Sequence, residues 1–262
     1  MNSWSRNRKR IILIIVIFAV VVLVGVPFFF LFYKAPTCSD SVMNGDETGV
    51  DCGGSCQRLC SAESLPLLLK GDPQVLTIAS STYEVIAVFD NPNQSAEIYK
   101  AKYSLKLYGA ESAIPVKTIE GFTFVPKGTT FAIFEGPFTL EAGLVPERAT
   151  LEWDKSSLVW RKNVDPQPDL QIIDQTLTKE GTLPRLEATV ENKSLSNVSN
   201  LDFIALISDA EGNIFGASKT YIDTLPAGGE SQIVFSWPRP FKQKAVGIEV
   251  VKRIFPDRTF IR

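Results

Sequence analysis

From Ile11 to Tyr33 the chain carries no charge and is almost entirely Ile, Val, Leu and Phe. As an α-helix this run reaches roughly 35 Å at about 1.5 Å per residue, enough to cross the hydrocarbon of a bilayer. No polar stripe interrupts it over its turns, as a helix packed into a soluble core would require. A secretory signal has an apolar core of only about 7 to 15 residues ending in a small-x-small cleavage site. Here the outer end is bulky, Phe28 to Tyr33, followed by Lys34, Ala35 and Pro36. The run therefore reads as a retained anchor bounded by Ile11 and Tyr33, with Trp4 and Tyr33 as interfacial aromatics. Arg6, Arg8, Lys9 and Arg10 precede it, and basic flanks stay in the cytoplasm. Residue 34 onward is then expected outside, in a cell membrane protein with one span and a cytoplasmic N-terminus.

Beyond residue 73 the pattern changes to short alternating runs separated by turns. Tyr103, Leu105 and Leu107 alternate with Ser104, Lys106 and Tyr108, the period of two of a half-buried strand. Strands are predicted over 75–79, 83–89, 103–108, 121–124, 130–135 and 149–153, and again over 170–175, 185–191, 201–208, 218–224, 231–236 and 246–251. The two sets can be superposed at an offset near one hundred residues. Val88–Ser95 matches Thr189–Ser196, the turn Val125-Pro126-Lys127-Gly128 matches Leu225-Pro226-Ala227-Gly228, and Phe134, Gly136, Pro137 and Phe138 match Phe235, Trp237, Pro238 and Phe241. The fold class predicted is mainly β: a transmembrane α-helix, a small disulfide-rich module and two tandem Ig-like β-sandwiches. The divisions are a cytoplasmic tail 1–10, a transmembrane helix 11–33, a cysteine module 34–60, a linker 61–73, sandwiches at 74–154 and 169–254 joined by a Pro-rich extended linker 155–168, and a tail 255–262. Trp160, in that joint, reads as an interdomain packing residue.

All four cysteines, Cys38, Cys52, Cys56 and Cys60, fall in the module 34–60. Zinc sites usually pair ligands as C-x2-C, which this spacing lacks. Outside a membrane the four should form two disulfides, of three possible connectivities. Asp40, Asn44, Asp46, Glu47 and Asp51 lie among them on a glycine-rich segment, and oxygen donors on such a loop suit calcium. The same residues are also ordinary turn formers, and the D-x-D-x-D-G order is absent.

The run CSDSVMNGDETGVDCGGSC resembles a cysteine motif, C-x-D-G-x-x-N-G-x-E-T-x-x-D-C-G-G-x-C, of secreted and surface proteins in bacteria and archaea, with Ser41 where that motif tends to have Gly. That resemblance implies a surface location and a spacer or adhesive setting. The second sandwich is similar to small extracytoplasmic Ig-like domains of the FxLYD or CARDB type, through Val190 with Asn192, the hairpin Asp209–Asn213, and Leu225, Gly228 and Phe235. It implies adhesion, scaffolding or protein binding, and brings no catalytic residue.

Composition narrows the chemistry. The chain has no histidine, which removes the commonest general base, the Ser-His-Asp and Cys-His arrangements, and most zinc and copper sites. Four of its 27 basic residues lie in the tail, leaving 23 against 29 acidic residues beyond it, a balance of −6 that repels nucleic acid. There is no phosphate loop, GxSxG or HExxH. Asp90, Asp202 and Asp209 are carboxylates expected in turns or on exposed strand positions. Trp153, Trp160 and Trp237 read as packing residues. Asn93, Asn192 and Asn197 begin N-x-S sequons. The expected function is a membrane-anchored extracytoplasmic binding or scaffolding protein, without catalytic residues, cofactor or small-molecule ligand, whose partner is another cell-surface or envelope protein. The alternative is a His-free enzyme in which two carboxylates act on cell-surface polysaccharide.

Overall fold

The computed structural model describes residues 3–32 and 35–257, with side chains described from residue 7 to residue 30 in the helix. Tyr33 and Lys34, and the side chains of Trp4 and Arg6, lie outside the described part. The chain divides into two compact units, Met1–Cys56 and Gln57–Arg262.

In the first unit, helix α1 runs Ser3–Phe32, and its stretch Asn7–Phe30 is long and apolar enough to cross a membrane. None of that stretch is buried against protein. The cysteine segment folds as turns with almost no regular structure, and its cysteines are all oxidised. Cys38 is bonded to Cys56, with Cα atoms 5.7 Å apart, and Cys52 and Cys60 are also disulfide-bonded. A segment this small buries little apolar surface, so covalent bridges take the place of a core. Gly54 is indispensable to its path. Its φ is +52°, and a Cβ there would lie 1.9 Å from the Asp46 carbonyl oxygen.

Among its described residues the second unit holds fourteen strands: β1 Leu68–Leu69, β2 Gln74–Ala79, β3 Thr82–Asp90, β4 Ala96–Tyr108, β5 Lys117–Val125, β6 Thr130–Thr139, β7 Arg148–Trp153, β8 Trp160–Lys162, β9 Leu170–Thr178, β10 Arg185–Asn192, β11 Val198–Ser208, β12 Ile214–Leu225, β13 Glu230–Ser236 and β14 Gly247–Ile254. Each of the twelve predicted strands falls on one of these. All pairings are antiparallel. In the first sandwich β3 lies between β2 and β6, and β4 lies between β5 and β7. In the second, β10 lies between β9 and β13, and β11 between β12 and β14. The pairing order is thus the same in both sandwiches.

Each sandwich has its own core. Val85, Ala87, Phe89, Phe131 and Ile133 meet Ile98, Tyr103, Leu105 and Leu107 in the first. Leu186, Val190, Ile233 and Phe235 meet Leu201, Phe203, Ala205 and Ile207 in the second. A third core was not foreseen. Leu76, Ile86, Val88 and Ala132 on the outer face of the β2-β3-β6 sheet pack on Ile204, Leu206, Ala217 and Val251 on the outer face of the β12-β11-β14 sheet. The four sheets therefore stack as four layers. Strands β3 and β11 are covered on both faces, which accounts for their unbroken runs Val85–Phe89 and Phe203–Ile207. Burying such side chains is worth about 1.5 to 3 kcal/mol each, so the stack is held as strongly as a small domain core.

The joint differs from its expected extended form. Trp160 is buried in the core of the first sandwich, not between the two, because Trp160–Lys162 add to β4 as strand β8. The residues before β2 are tied down as well. Leu68 and Leu69 pair with Asp90 and Phe89, and the Asn93 side chain both donates to the Leu65 carbonyl and accepts from the Leu65 amide.

Candidate functional site

The seam between the sandwiches collects the ionisable groups that the rest of the second unit excludes. Asp202 sits in β11 between Leu201 and Phe203, with its side chain facing the first sandwich and closed to solvent. Arg253, its cross-strand neighbour on β14, donates from Nη2 to Asp202 Oδ2 at 3.4 Å and from Nη1 to Thr123 Oγ1 in the first sandwich at 2.7 Å. Lys219 Nζ lies 3.5 Å from Asp202 Oδ1, a charge contact too long for a hydrogen bond. Burial pulls the Arg253 guanidinium below its ordinary range, and Asp202 opposes that pull. Through Arg253 this centre links the two sandwiches across the seam.

Three clefts open along the seam. The first, about 230 Å³, is floored by Tyr99, Phe124 and Phe255. Its polar rim is saturated: Lys127 Nζ donates to the Asn163 carbonyl at 2.8 Å, to Asn163 Oδ1 at 3.0 Å and to the Asp165 carbonyl. Asn163 Nδ2 in turn donates to Glu97 at 2.7 Å. Burial raises the Glu97 carboxyl against that hydrogen bond.

The second cleft, about 580 Å³, holds Glu84 and Glu135 together with Tyr221, Trp237 and Pro238. Glu84 lies at an irregularity in the β3–β6 register, and its Oε2 is buried with no hydrogen-bond donor. Desolvation pushes its carboxyl up to about 7. Glu135 accepts from the Tyr103 hydroxyl, whose own ionisation is displaced far upward, first by burial and then by that bond. The third cleft, about 410 Å³, lies between β2 and the loop Trp237–Gln243.

Glu84 carries a pH dependence whose sign is fixed. The folded carboxyl near 7 binds a proton that the unfolded chain, near 4.5, has released, so stability falls as pH rises from 4.5 through 7. Glu84→Gln should abolish that decline. It should be more stable than the parent by on the order of 1 to 2 kcal/mol at pH 8, because the half-open cleft screens part of the shift, and equal to it at pH 4.5. Denaturant unfolding of both proteins across pH checks this; parallel pH profiles would refute it.

The residues considered for calcium are placed as follows. Asp40 accepts from the Thr37 amide at 3.2 Å, from the Val42 amide at 3.0 Å and from Asn44 Nδ2 at 3.0 Å, and the Asn44 bond leads in holding its carboxyl low. Asp51 accepts from the Ser41 amide, Glu47 from the Asn44 amide and Asp46 from the Ser55 hydroxyl. A cation would compete with those donors for the same oxygens. Among the described residues the grouping of metal-ligand atoms within 4.8 Å is Cys38, Glu47 and Cys56, and both sulfurs are spent in one disulfide.

Of the other candidates, Asp209 closes the β11–β12 turn by accepting from the Glu211 and Asn213 amides, and Asp90 meets Thr130 at 3.4 Å. Asp202 is buried, against the exposed placement expected of it, while Asp90 and Asp209 are half-buried. Trp153 packs edge-on to Phe89 at 5.1 Å, and Trp237 donates from Nε1 to the Ala217 carbonyl at 2.9 Å, so both are packing residues as read. Asn192 is wholly buried, whereas Asn197 is exposed. Glu84 and Arg253 escaped the sequence reading. The signal available was charge inside an apolar run: Glu84 alone in Tyr83-Glu84-Val85, and the pair Lys252-Arg253 in Val250-Val251-Lys252-Arg253-Ile254.

No protein-family profile matches the chain, and no curated protein sequence is similar to it. Among solved structures, red sea bream transglutaminase is similar over 75% of this chain and 32% of its own, at 7% identity and a TM-score of 0.22. A β-glucuronidase from glycoside hydrolase family 2 is similar over 86% of this chain and 29% of its own, at 11% identity and a TM-score of 0.24. This chain thus spans about a third of each of those proteins.

Proposed function

We propose that the chain is a single-pass membrane protein, N-terminus in the cytoplasm, that presents two Ig-like sandwiches outside the membrane to bind or hold another envelope or surface protein. The observation that carries this reading is the third core. It joins the sandwiches into one rigid block whose buried charges are consumed in holding it, leaving extended surfaces as its working parts. Oxidised cysteines and a basic-flanked apolar helix support the placement. A reporter that is active only outside the cytosol, fused at Arg262, should be active. A photo-crosslinking residue at the exposed loop positions Ile114 or Leu195 should capture a membrane-fraction protein. A cytosolic reporter signal, or no crosslink from either loop, would count against this role.

The alternative of a carboxylate enzyme draws on one observation. Glu84 and Glu135 line a single cleft, and two carboxyls in one cleft, one of them pushed up to about 7 by burial, are the groups that glycoside hydrolysis uses. Release of reducing sugar from envelope polysaccharide that disappears in both Glu84→Gln and Glu135→Gln would establish it.

A further inference from the structure

The third cleft has features that the binding role alone does not explain. One wall is β2, which pairs with β3 on one side only and so leaves its other edge without a strand. Val75 and Ile78 of that strand, with Phe215 and Phe241 opposite, contribute apolar side chains to a groove whose lining is in part polar. Phe241 is held edge-on by Phe215 at 5.3 Å and by Trp237 at 5.2 Å, and Pro238 and Pro240 restrict the loop that carries it. Arg239 and Lys242 stand on the same wall, exposed and, among the described residues, without a hydrogen bond or ion pair. Lys244, two residues on, is exposed and equally unpaired. The nearby carboxylate of Glu180 is occupied by the Ala245 amide at 3.3 Å. In a chain with net negative charge, three unpaired cations on one ten-residue loop form a local positive field.

An open strand edge recognises the main chain of an extended peptide, alternate side chains of that peptide enter pockets, and fixed charges select its composition. We propose that this groove docks an extended acidic peptide segment of a partner protein. The segment adds to the free edge of β2, sets apolar side chains against Val75, Ile78 and Phe241, and places carboxylates toward Arg239 and Lys242. This deepens the binding role proposed above and rests on it.

The test uses the full chain in detergent micelles and a fluorescent decapeptide alternating Glu and Val, read by anisotropy. Saturable binding is expected that weakens at least about tenfold in the Arg239→Glu/Lys242→Glu variant and with a peptide whose alternate backbone nitrogens are methylated. An alternating Lys-Val peptide should not bind. The proposal is overturned if the acidic peptide does not bind, if charge reversal and methylation leave its affinity unchanged, or if an oligogalacturonate binds the groove and displaces the peptide. Loop crosslinking that persists unchanged in the double variant would overturn the groove and leave the binding role standing. Loss of crosslinking in the parent protein would instead remove the role itself.

Discussion

Asp202→Ala is expected to destabilise the two-sandwich body by about 3 to 5 kcal/mol, lowering its thermal midpoint by roughly 10 °C. The reason lies in what remains after the carboxylate is gone. Arg253 stays fixed between Thr123 and the seam with no counter-charge accepting from its Nη2, and Lys219 loses the ion pair it makes among the described residues. An uncompensated buried cation costs more than the pair contributed. The control is therefore the double replacement Asp202→Leu with Arg253→Met, which removes both charges and keeps the volume. It should recover most of the loss, since buried ion pairs replaced by apolar groups of similar size are often neutral or better. Because the third core couples the sandwiches, both should unfold in one transition, in the parent and in the single variant alike. An unchanged midpoint in Asp202→Ala, or a double variant no better than the single one, would show that the seam is held by its apolar contacts alone.

The strands were legible because the second unit obeys simple rules. β4 alternates buried Tyr103, Leu105 and Leu107 with partly exposed Ser104, Lys106 and Tyr108, so its period of two is visible without any structure. The stacking of the sandwiches was written less openly. β3 and β11 do not alternate over Val85–Phe89 and Phe203–Ile207, and a strand without alternation is one covered on both faces. What covers the second face cannot be read from the run itself. The prolines around Asp165 suggested an extended joint, yet five residues before Asp165 Trp160 enters a core through a strand too short to show a period. The seam charges illustrate the same limit. Asp202 in an apolar run announces a buried partner, but Arg253 lies far along the chain, and only the β11–β14 register brings the two together. In the cysteine segment, oxidation followed from the expected placement outside the membrane together with a spacing unlike zinc sites, while the Cys38–Cys56 bond required coordinates.

The repeated Asn residues make the sharpest link from sequence to energetics. Asn192 is fully buried, and its Nδ2 donates to the carbonyls of Ser196 at 2.9 Å, Leu225 at 3.2 Å and Pro226 at 2.9 Å. Its Oδ1 accepts from the Ser194 amide at 3.0 Å. Asn91 repeats the device in the first sandwich, donating to the carbonyls of Ala96 at 2.9 Å and Pro126 at 2.7 Å and accepting from the Asn93 amide at 3.0 Å. In each case one amide ties the end of a central strand to the Pro turn of the neighbouring sheet, joining two of the sequence blocks that superpose. Asn192→Ala leaves several carbonyls and one amide without partners in a dry site, at about 1 to 3 kcal/mol for each group left unsatisfied, with partial relaxation reducing the sum to about 2 to 4 kcal/mol. Asn91→Ala should cost about as much, because having one carbonyl acceptor fewer is offset by a second donor on its Oδ1, Asn93 Nδ2 at 2.9 Å. Asn192→Asp should be at least as damaging as alanine, because a carboxylate would face carbonyl oxygens it cannot donate to. The two sites share no partner, so the double alanine variant should show the sum of the single losses to within about 0.5 kcal/mol. Urea midpoints at neutral pH measure all four proteins, and an Asn192→Ala loss below about 0.5 kcal/mol would mean that the amide merely occupies the space between the sheets.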